Sequence, residues 1–426
     1  MSTTAPLTFG QLSVLRSLES VPREELPLHH QVRLWRVPAG ASRETVHAAL
    51  RQLAVRHEGL RTRFTADGQI VHPGAGPDPE PAADDWTTHA DALRRMGELG
   101  RQQFDLAREY GWRARPLLDA DGFPRYVAVS MHHVLVDRYA FDRITHEFSA
   151  LVRESARITT EHPLSPRRLA EQQHGEQWAT RRQRAMEYLR GIIDATAGSS
   201  SAVSGGRVEA RRLATPSAAR LAAASAAMGV SPQAAMLALS ALVVARLRDT
   251  GRPVFGLMAS NRLTPEWQGI VSSMNQRTWV ALDVTAETDF VALAKRAALA
   301  GLTAFRHGCY DVDELARLVE THGPLPAVDC SLNVMTQEPG VNTPETPAPD
   351  GDTWVRPRMH EGAPFDLKVF QGPQTRTDLR IDPRLATPAE LLGVLDWFDA
   401  QLGRLAAGER PRVAELRDSL SHWGSG

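Results

Sequence analysis

The segment His132-His133-Val-Leu-Val-Asp137 places two imidazoles and a carboxylate within six residues. Imidazole has a pKa of about 6.5, so it can accept a proton from an attacking amine or hydroxyl at neutral pH. The segment follows a strand-like run at 126–131 and precedes apolar residues that recur at helical spacing from 141 to 151. A loop between a strand and a helix can hold a side chain rigidly and leave one face open to a ligand. The pattern therefore predicts a proton-transfer site, with a core histidine bonded to the backbone as the alternative.

The elements that precede this segment, and the one that follows it, must position it. Ser42 is typical of a helix N-cap, and the helix that it begins is predicted to end at Gly59. The run Leu60-Arg-Thr-Arg-Phe64 alternates like a half-buried strand, and Asp67-Gly68 predicts a hairpin turn. A long polar helix is predicted over 166–193.

The second half of the chain follows a Gly/Ser-rich stretch at about 197–206, which predicts a linker. Thr215-Pro216 and Ser231-Pro232 are typical helix starts. A Pro-rich stretch at about 339–352 predicts a mobile loop. Strands are predicted at 253–259, 278–284, 329–335 and 365–370. Helices and strands on both sides of the linker predict an α/β fold with an N-terminal lobe at 1–180 and a C-terminal lobe at 181–426.

The composition restricts the classes of partner. The 426 residues include 49 Lys and Arg against 50 Asp and Glu, so no charge excess favours nucleic acid or an anionic membrane. The most apolar window, 234–247, is too short to span a bilayer and predicts a buried helix. The first eight residues lack the features of a signal peptide, and we therefore expect a cytoplasmic protein.

The two cysteines, Cys309 and Cys330, indicate neither a disulfide framework nor a metal site. A secreted scaffold of this length would carry more cysteines, so the prediction is two reduced, buried thiols. No Cys-x-x-Cys pair or histidine cluster accompanies them, and no metal is expected.

Several segments together resemble one known family. The segment 132–137 resembles the His-His-x-x-x-Asp-Gly motif of nonribosomal peptide synthetase condensation domains, which belong to the chloramphenicol acetyltransferase-like superfamily. The run Arg56-His-Glu-Gly-Leu-Arg-Thr-Arg-Phe64 is similar to the Arg-His-Glu-x-Leu-Arg-Thr-x-Phe block of that family. Fainter similarities follow in the family's order at 7–18, 269–277, 329–335 and 364–367. The resemblance implies two chloramphenicol acetyltransferase-like lobes that form a V with a central tunnel.

The resemblance also implies roles for the residues of the motif. His133 would point into the tunnel and act as a general base or hold the acceptor, while His132 would support the loop. Asp137 would turn away from the substrate and pair with Arg61, so that the loop stays rigid. For Asp137 the alternative is a helix N-cap role, which is compatible with the pairing, and for Arg61 we expect a structural ion pair and nothing more.

Two further residues are expected near the tunnel. Arg138 stands where the family has Gly, and its side chain would either narrow the phosphopantetheine path or offer hydrogen-bond donors to a substrate carboxylate or phosphate. Asn275 corresponds to the Asn of the second-lobe motif, with a turn or packing role as the alternative. Both histidines of the motif are present, and this favours catalysis over a relative that has lost it.

The resemblance predicts a free-standing enzyme of natural-product biosynthesis that transfers an acyl or aminoacyl group from a carrier-protein phosphopantetheine thioester to an amine or hydroxyl. The sequence holds no adenylation or carrier domain, so we expect a monomer that meets acyl or peptidyl carrier proteins in trans and accepts a small-molecule or carrier-bound acceptor. No resident cofactor is expected. The alternatives are a retired module that recruits a tailoring enzyme or carrier protein, and a coenzyme A-dependent O-acyltransferase.

Overall fold

A computed structural model describes residues 3–66, 68–74, 88–154, 164–196, 206–285, 288–336, 350–359 and 363–420. The first half contains β1 (Thr3–Ala5), α1 (Phe9–Leu18), β2 (Gln31–Arg36), α2 (Arg43–Arg56), β3 (Thr62–Thr65), β4 (Gly68–Val71), α3 (His89–Gly100), β5 (Trp112–Leu118), β6 (Pro124–Met131), α4 (Arg138–Glu154) and α5 (Pro166–His174). The second half contains α6 (Ala179–Ala195), β7 (Gly206–Ala214), α7 (Thr215–Met228), α8 (Pro232–Leu247), β8 (Val254–Ala259), α9 (Pro265–Gln268), β9 (Gln276–Ala281), α10 (Phe290–Arg306), α11 (Val312–His322), β10 (Cys330–Thr336), β11 (Gly351–Met359), β12 (Phe365–Gln371), β13 (Thr375–Ile381), α12 (Pro388–Ala406) and α13 (Val413–Asp418).

The first lobe is built on two antiparallel sheets of three strands, in the orders β2-β6-β5 and β1-β4-β3. The central strand, β6, is buried along most of its length because α2, α3 and α4 cover the lobe's core. Trp35 of β2 stacks on Phe148 of α4 with ring centroids 4.6 Å apart. This packing fixes the start of α4 relative to the end of β6, where the two histidines lie.

The second lobe is built on one mixed sheet of seven strands, in the order β11-β7-β13-β12-β10-β8-β9. β10 runs parallel to both β8 and β12, so β8, β10 and β12 end at the same edge of the sheet. Helix α8 is buried on nearly all of its faces, as predicted for 234–247. Cys330 and Cys309 are both buried free thiols, and the predicted pair of reduced thiols is confirmed.

The two lobes meet in a separate apolar cluster. Trp178 stacks on Trp267 with centroids 5.2 Å apart, and α1 lies directly against the segment 272–274. The members of the cluster are Phe9, Leu169, Trp178, Trp267, Ile270, Met274 and Cys309. Helix α6 packs on the second lobe, and the lobe boundary predicted at 180 falls at its start.

Some predicted elements differ from the structure. The helix that begins after Ser42 ends at Arg56 and not at Gly59, because a 3-10 turn over Glu58–Arg61 follows and β3 starts only at Thr62. The long helix predicted over 166–193 is divided near Gly175 into α5, a 3-10 turn and α6.

Parts of other predictions lie outside the described residues. These are Asp67 of the predicted turn, residues 197–205 of the predicted linker and residues 339–349 of the predicted loop. The remaining ends of the linker and loop, Gly206 and residues 351–352, belong to β7 and β11. Within the described residues, no single helix is long and apolar enough to cross a membrane; α7 and α8 reach that length and composition only as a pair bent by 93°.

Candidate active site

The histidine segment is a short loop that the core of the first lobe holds from both ends. The backbone N–H of His132 donates to the carbonyl of Gly111 at 2.7 Å, and the N–H of Leu135 donates to the carbonyl of His132 at 3.0 Å. Val134, Leu135 and Val136 are buried side chains of the same core. Apolar burial and backbone hydrogen bonds therefore fix the loop between β6 and α4.

His133 is half-buried on this loop, and one of its ring nitrogens is occupied. Nδ1 lies 2.9 Å from the carbonyl oxygen of Val136. Since a carbonyl only accepts hydrogen bonds, Nδ1 carries the proton of the neutral ring and Nε2 carries the lone pair. Nε2 is thus the atom of His133 that can accept a proton or a hydrogen bond from an acceptor substrate.

His132 is buried and faces the interior of the lobe. Its Nδ1 accepts a hydrogen bond from the N–H of Val134 at 3.1 Å, and its ring packs near His30 and Phe104. Burial lowers the pKa of His132 to about 3, and the neighbouring His30 and His133 act in the same direction. His132 is therefore neutral at physiological pH, and it supports the loop through the hydrogen bond from the N–H of Val134.

Asp137 forms an ion pair with Arg262 of the second lobe, and the predicted pairing with Arg61 is wrong. Arg262 Nη1 donates to Oδ2 at 2.6 Å and Nη2 donates to Oδ1 at 3.0 Å, with the two side chains 3% and 4% exposed. Arg61 instead donates from Nη1 to the carbonyl of His72 at 2.8 Å. The side chain of Asp137 faces the second lobe, whereas Arg61 lies beside the β3–β4 hairpin that carries His72.

Asp137 also acts as the N-cap of helix α4, the role predicted as its alternative. Its Oδ1 accepts the N–H of Ala140 at 2.9 Å at the start of α4. Its Oδ2 accepts the N–H of Met274 at 3.1 Å from the second lobe. One carboxylate therefore caps α4 and joins it to two points of the other lobe.

Arg262, which follows β8, is a residue of this site that was not predicted from the sequence. Asn261 adopts a left-handed conformation with φ of 57° and donates from Nδ2 to the carbonyl of Met274 at 2.9 Å, which turns the chain back toward the first lobe. Arg262 Nη2 also lies 3.3 Å from the carbonyl of Ser272, and its guanidinium stacks 4.5 Å from the ring centroid of Tyr139. The Ser-Asn-Arg sequence after a buried strand indicates a turn. It does not indicate that Arg262 pairs with Asp137.

A cavity of about 390 Å³ opens between the start of α4 and the second lobe. It brings together Arg138 and Asn275, the two residues predicted near the tunnel, with Asn333 of β10. Besides Asn275, its lining residues are drawn from three segments, within 137–142, 258–262 and 333–336. His133 is not among the described residues that line this cavity, although it lies only four residues before Asp137 in the same loop.

Arg138 extends from the first lobe across to the second. Its Cζ lies 5.3 Å from the ring centroid of Phe370 of β12, and its Nε lies 3.7 Å from Oδ2 of Asp142. Each contact of Arg138 is shared with a second arginine. Arg33 also forms an ion pair with Asp142, and Cζ of Arg376 lies 3.8 Å from the ring centroid of Phe370. Arg138 is therefore a half-exposed cation at the boundary between the lobes.

The described residues contain no group of three or more His, Cys, Asp and Glu side chains that could hold a metal ion. Burial raises the pKa of the Cys309 thiol to about 12 and that of Cys330 well above its usual value, so neither is a ready nucleophile at neutral pH.

Comparisons with known proteins agree on the family. The condensation-domain family model matches residues 5–383. Cyclosporin synthetase simA of Tolypocladium inflatum is 32% identical over 126 residues, a match that covers 29% of this chain and spans about 1% of the length of that synthetase.

Two solved structures illustrate the likeness of fold. A structure that explains condensation domain-mediated chain release from the enacyloxin polyketide synthase superposes with a TM-score of 0.76 at 17% identity, over 95% of this chain and 82% of that one. The X-domain in complex with OxyB from teicoplanin biosynthesis superposes with a TM-score of 0.69 at 20% identity, over 97% and 95%. The two-lobed α/β architecture is therefore confirmed, and the chain belongs to the condensation-domain family.

Proposed function

We propose that this protein transfers an acyl or aminoacyl group from the phosphopantetheine thioester of a carrier protein to an amine or hydroxyl acceptor. The acceptor attacks the thioester carbonyl, a C–N or C–O bond forms, and the C–S bond breaks. The proton of the acceptor passes to His133 Nε2 and leaves with the thiol of the phosphopantetheine arm. The acceptor is neutral when it attacks, so a positioned base lowers the barrier to the step.

One observation carries this proposal: the hydrogen bond of 2.9 Å between His133 Nδ1 and the carbonyl of Val136. It assigns the lone pair of the ring to Nε2 and fixes the direction in which that lone pair points. The ion pair of Asp137 with Arg262 holds the end of the same loop. Proximity and orientation on such a rigid loop supply much of the rate in acyl transfer.

The relatives suggest the class of donor. By name, one relative is a cyclosporin synthetase, and the other is a condensation domain that mediates chain release from the enacyloxin polyketide synthase. A carrier-bound thioester is therefore a better first choice of donor than a coenzyme A thioester. The biosynthesis of a natural product, in the cytoplasm, is the corresponding setting.

Product formation and carrier binding, measured separately, test this function. Carrier proteins loaded with a set of acyl and aminoacyl groups are mixed with a set of amines and alcohols, and amide or ester products are detected by mass spectrometry. We expect product with the unchanged protein, a rate of product formation about a hundredfold or more lower with His133→Ala, and equal carrier binding by both. His322→Ala, at the exposed end of α11, is the matched control and should keep full activity.

The outcome also separates the alternatives. Equal product from coenzyme A thioesters would favour the coenzyme A-dependent O-acyltransferase. Product formation by His133→Ala at the rate of the unchanged protein would contradict the proposed role of this residue.

Arg138 gives specific support to a second function, the recruitment of another enzyme or a carrier protein. Its guanidinium lies at the boundary between the lobes, against Phe370. An X-domain of the same fold is in a complex with OxyB. Binding of a carrier protein or of a tailoring enzyme by the unchanged protein, without product from any donor and acceptor pair, would favour recruitment.

A further inference from the structure

A second cavity, of about 530 Å³, lies where the end of α2, the start of α5 and the segment around α9 meet. We call it the arginine pocket. Its charged lining residues are Arg56, Glu58, Arg61, Arg167, Arg168 and Glu266. Four guanidinium groups against two carboxylates give the lining a formal charge of +2, and this distinguishes it from the cavity beside Asp137.

Two of the four arginines have carboxylate partners nearby. Arg56 Nε lies 3.3 Å from Oε2 of Glu147. Arg167 lies between Glu58, 3.5 Å from its Nε, and Glu171, 3.1 Å from its Nη1. The charges of Arg56 and Arg167 are therefore largely compensated within the protein.

The other two arginines, Arg61 and Arg168, are not compensated in this way. Within the described part of the chain, neither has a carboxylate within 4.0 Å. Arg61 donates from Nη1 to a neutral carbonyl, that of His72, and its buried Nε has no hydrogen-bond partner among the described residues. Arg168 is exposed at the rim. A buried guanidinium N–H without an acceptor is costly, and an anion that supplies one relieves the cost.

The remaining neighbours favour an anion as well. Burial lowers the pKa of His57, although Glu147 acts in the opposite direction, so His57 adds no charge at neutral pH. Helix α5 begins at the pocket with Ser165 as its N-cap, and the positive end of its dipole faces the same region. Glu266 is the opposing carboxylate, and it is exposed on α9.

We propose that the arginine pocket binds a phosphate monoester. A phosphate has enough acceptor oxygens to bind Arg61 and Arg168, the two uncompensated arginines, at the same time. The planar fork of a guanidinium also matches the oxygen geometry of phosphate. This site is separate from His133 and does not depend on the proposed acyl transfer.

The pocket is tested by titration calorimetry at constant ionic strength with inorganic phosphate, 4′-phosphopantetheine and pantetheine. Pantetheine is the matched ligand that lacks the phosphate. We expect the two phosphate-bearing probes to bind and pantetheine not to bind. Tighter binding of 4′-phosphopantetheine than of inorganic phosphate assigns the site to a pantetheine-linked phosphate, and the reverse order assigns it to a free phosphate monoester.

Variants show whether these arginines hold the phosphate. Arg61→Gln and Arg168→Gln should each weaken phosphate binding by about tenfold, because each removes a charge-assisted hydrogen bond. Arg168 is exposed, so its variant tests the pocket even if Arg61→Gln fails to fold. Arg190→Gln, on the exposed face of α6, is the control and should bind like the unchanged protein. Absence of phosphate binding, or equal binding by Arg168→Gln, would overturn the proposal.

Discussion

Asp137 accepts hydrogen bonds from three parts of the chain, namely the start of its own helix, Arg262 and the backbone of Met274. Removing two charges from water is costly, and a buried ion pair is tolerated only when its geometry and remaining hydrogen bonds are good. Here the pair is bidentate and both carboxylate oxygens accept further N–H groups. The end of the histidine loop is therefore held from both lobes.

Removal of either partner should destabilise the protein strongly. We expect Asp137→Ala or Arg262→Ala to lower the free energy of unfolding by about 3–5 kcal/mol, because each leaves an unpaired buried charge. The double variant should lose less than the sum of the two single losses, as measured by urea denaturation. Arg61→Ala is the matched comparison, since Arg61 does not contact Asp137; its loss should simply add to that of Asp137→Ala. Additive losses for Asp137 and Arg262 would contradict this assignment.

His132 should make stability depend on pH. Its pKa of about 3 in the folded state lies below that of an exposed histidine, so the unfolded chain binds more protons between the two values. The stability that neutral His132 contributes is complete above about pH 6.5 and falls as the pH drops from there toward 3. Between pH 6.5 and 5.5, His132→Asn should lose less stability than the unchanged protein by about 1 kcal/mol, because the unfolded histidine is only half protonated at the upper value. Equal losses in denaturation at the two pH values would contradict the burial of this ring.

The sequence could identify the residues of the motif but not all of their partners. His132, His133 and Asp137 are adjacent in the chain, so their types and spacing are visible in a single sequence. Arg262 is 125 residues from Asp137, and only the packing of the two lobes brings them together. The prediction that Arg61 pairs with Asp137 was wrong because it depended on the resemblance alone. In this chain the guanidinium of Arg61 donates to the carbonyl of His72 instead.

At the scale of elements, helix α1 and the segment 272–274 approach each other very closely. A Cβ atom placed on Gly10 would lie 2.4 Å from the carbonyl oxygen of Ser273 and 2.7 Å from Cα of Met274. The absence of a side chain at Gly10 thus lets α1 lie directly on the segment whose Met274 N–H binds Asp137. The packing of one helix is therefore linked to the position of the histidine loop.

Gly10→Ala tests this close approach. We expect it to destabilise the protein by about 1–3 kcal/mol, because the backbone of 273–274 must shift to accommodate a methyl group. Gly97→Ala is the control, since a Cβ at this site in α3 meets no atom within 4 Å. Gly97→Ala should stabilise by about 0.5–1 kcal/mol through helix propensity alone. In thermal or urea unfolding, the two variants should therefore change the free energy of unfolding in opposite directions. A Gly10→Ala variant as stable as the unchanged protein would contradict the close packing.

The apolar strands of the second lobe could be predicted from sequence, and the charged ones could not. The runs at 253–259, 329–335 and 365–370 coincide closely with β8, β10 and β12. β7 and β13 lack long apolar runs because charged side chains pair across them. Arg380 lies opposite Glu209, and its Nε donates to that carboxylate at 2.7 Å. Such cross-strand partners are 171 residues apart, so the local pattern does not reveal them.

At the scale of the whole molecule, two lobes enclose a cavity that residues of both lobes line. The two-lobed α/β fold was predicted by resemblance and is confirmed, because the family motifs extend over most of the chain. The residues that line the cavity could not be predicted, since they come from segments far apart in the sequence. Arg138 and Asn275 are the two exceptions, and the family motifs pointed to both.

Arg138 should limit the size of the acceptor. Its side chain occupies the boundary between the lobes, while Asp142 keeps Arg33 as a partner without it. Arg138→Ala should therefore change stability by less than about 1 kcal/mol, as expected for a half-exposed ion pair. For the Arg138→Ala variant, the ratio of kcat/KM for a bulky amine to kcat/KM for a small amine should rise. Both values are measured on one preparation of the protein. An unchanged ratio would show that Arg138 does not restrict the acceptor.

The most direct test of the account is the single-turnover rate of acyl transfer from a loaded carrier protein to excess acceptor, compared between the unchanged protein and His133→Ala. Removal of a positioned base costs about 10²–10⁴ in rate. We predict a loss in this range, with carrier binding unchanged. A rate within about threefold of the unchanged protein would contradict the role of His133, because a loss that small lies far below the contribution of a general base.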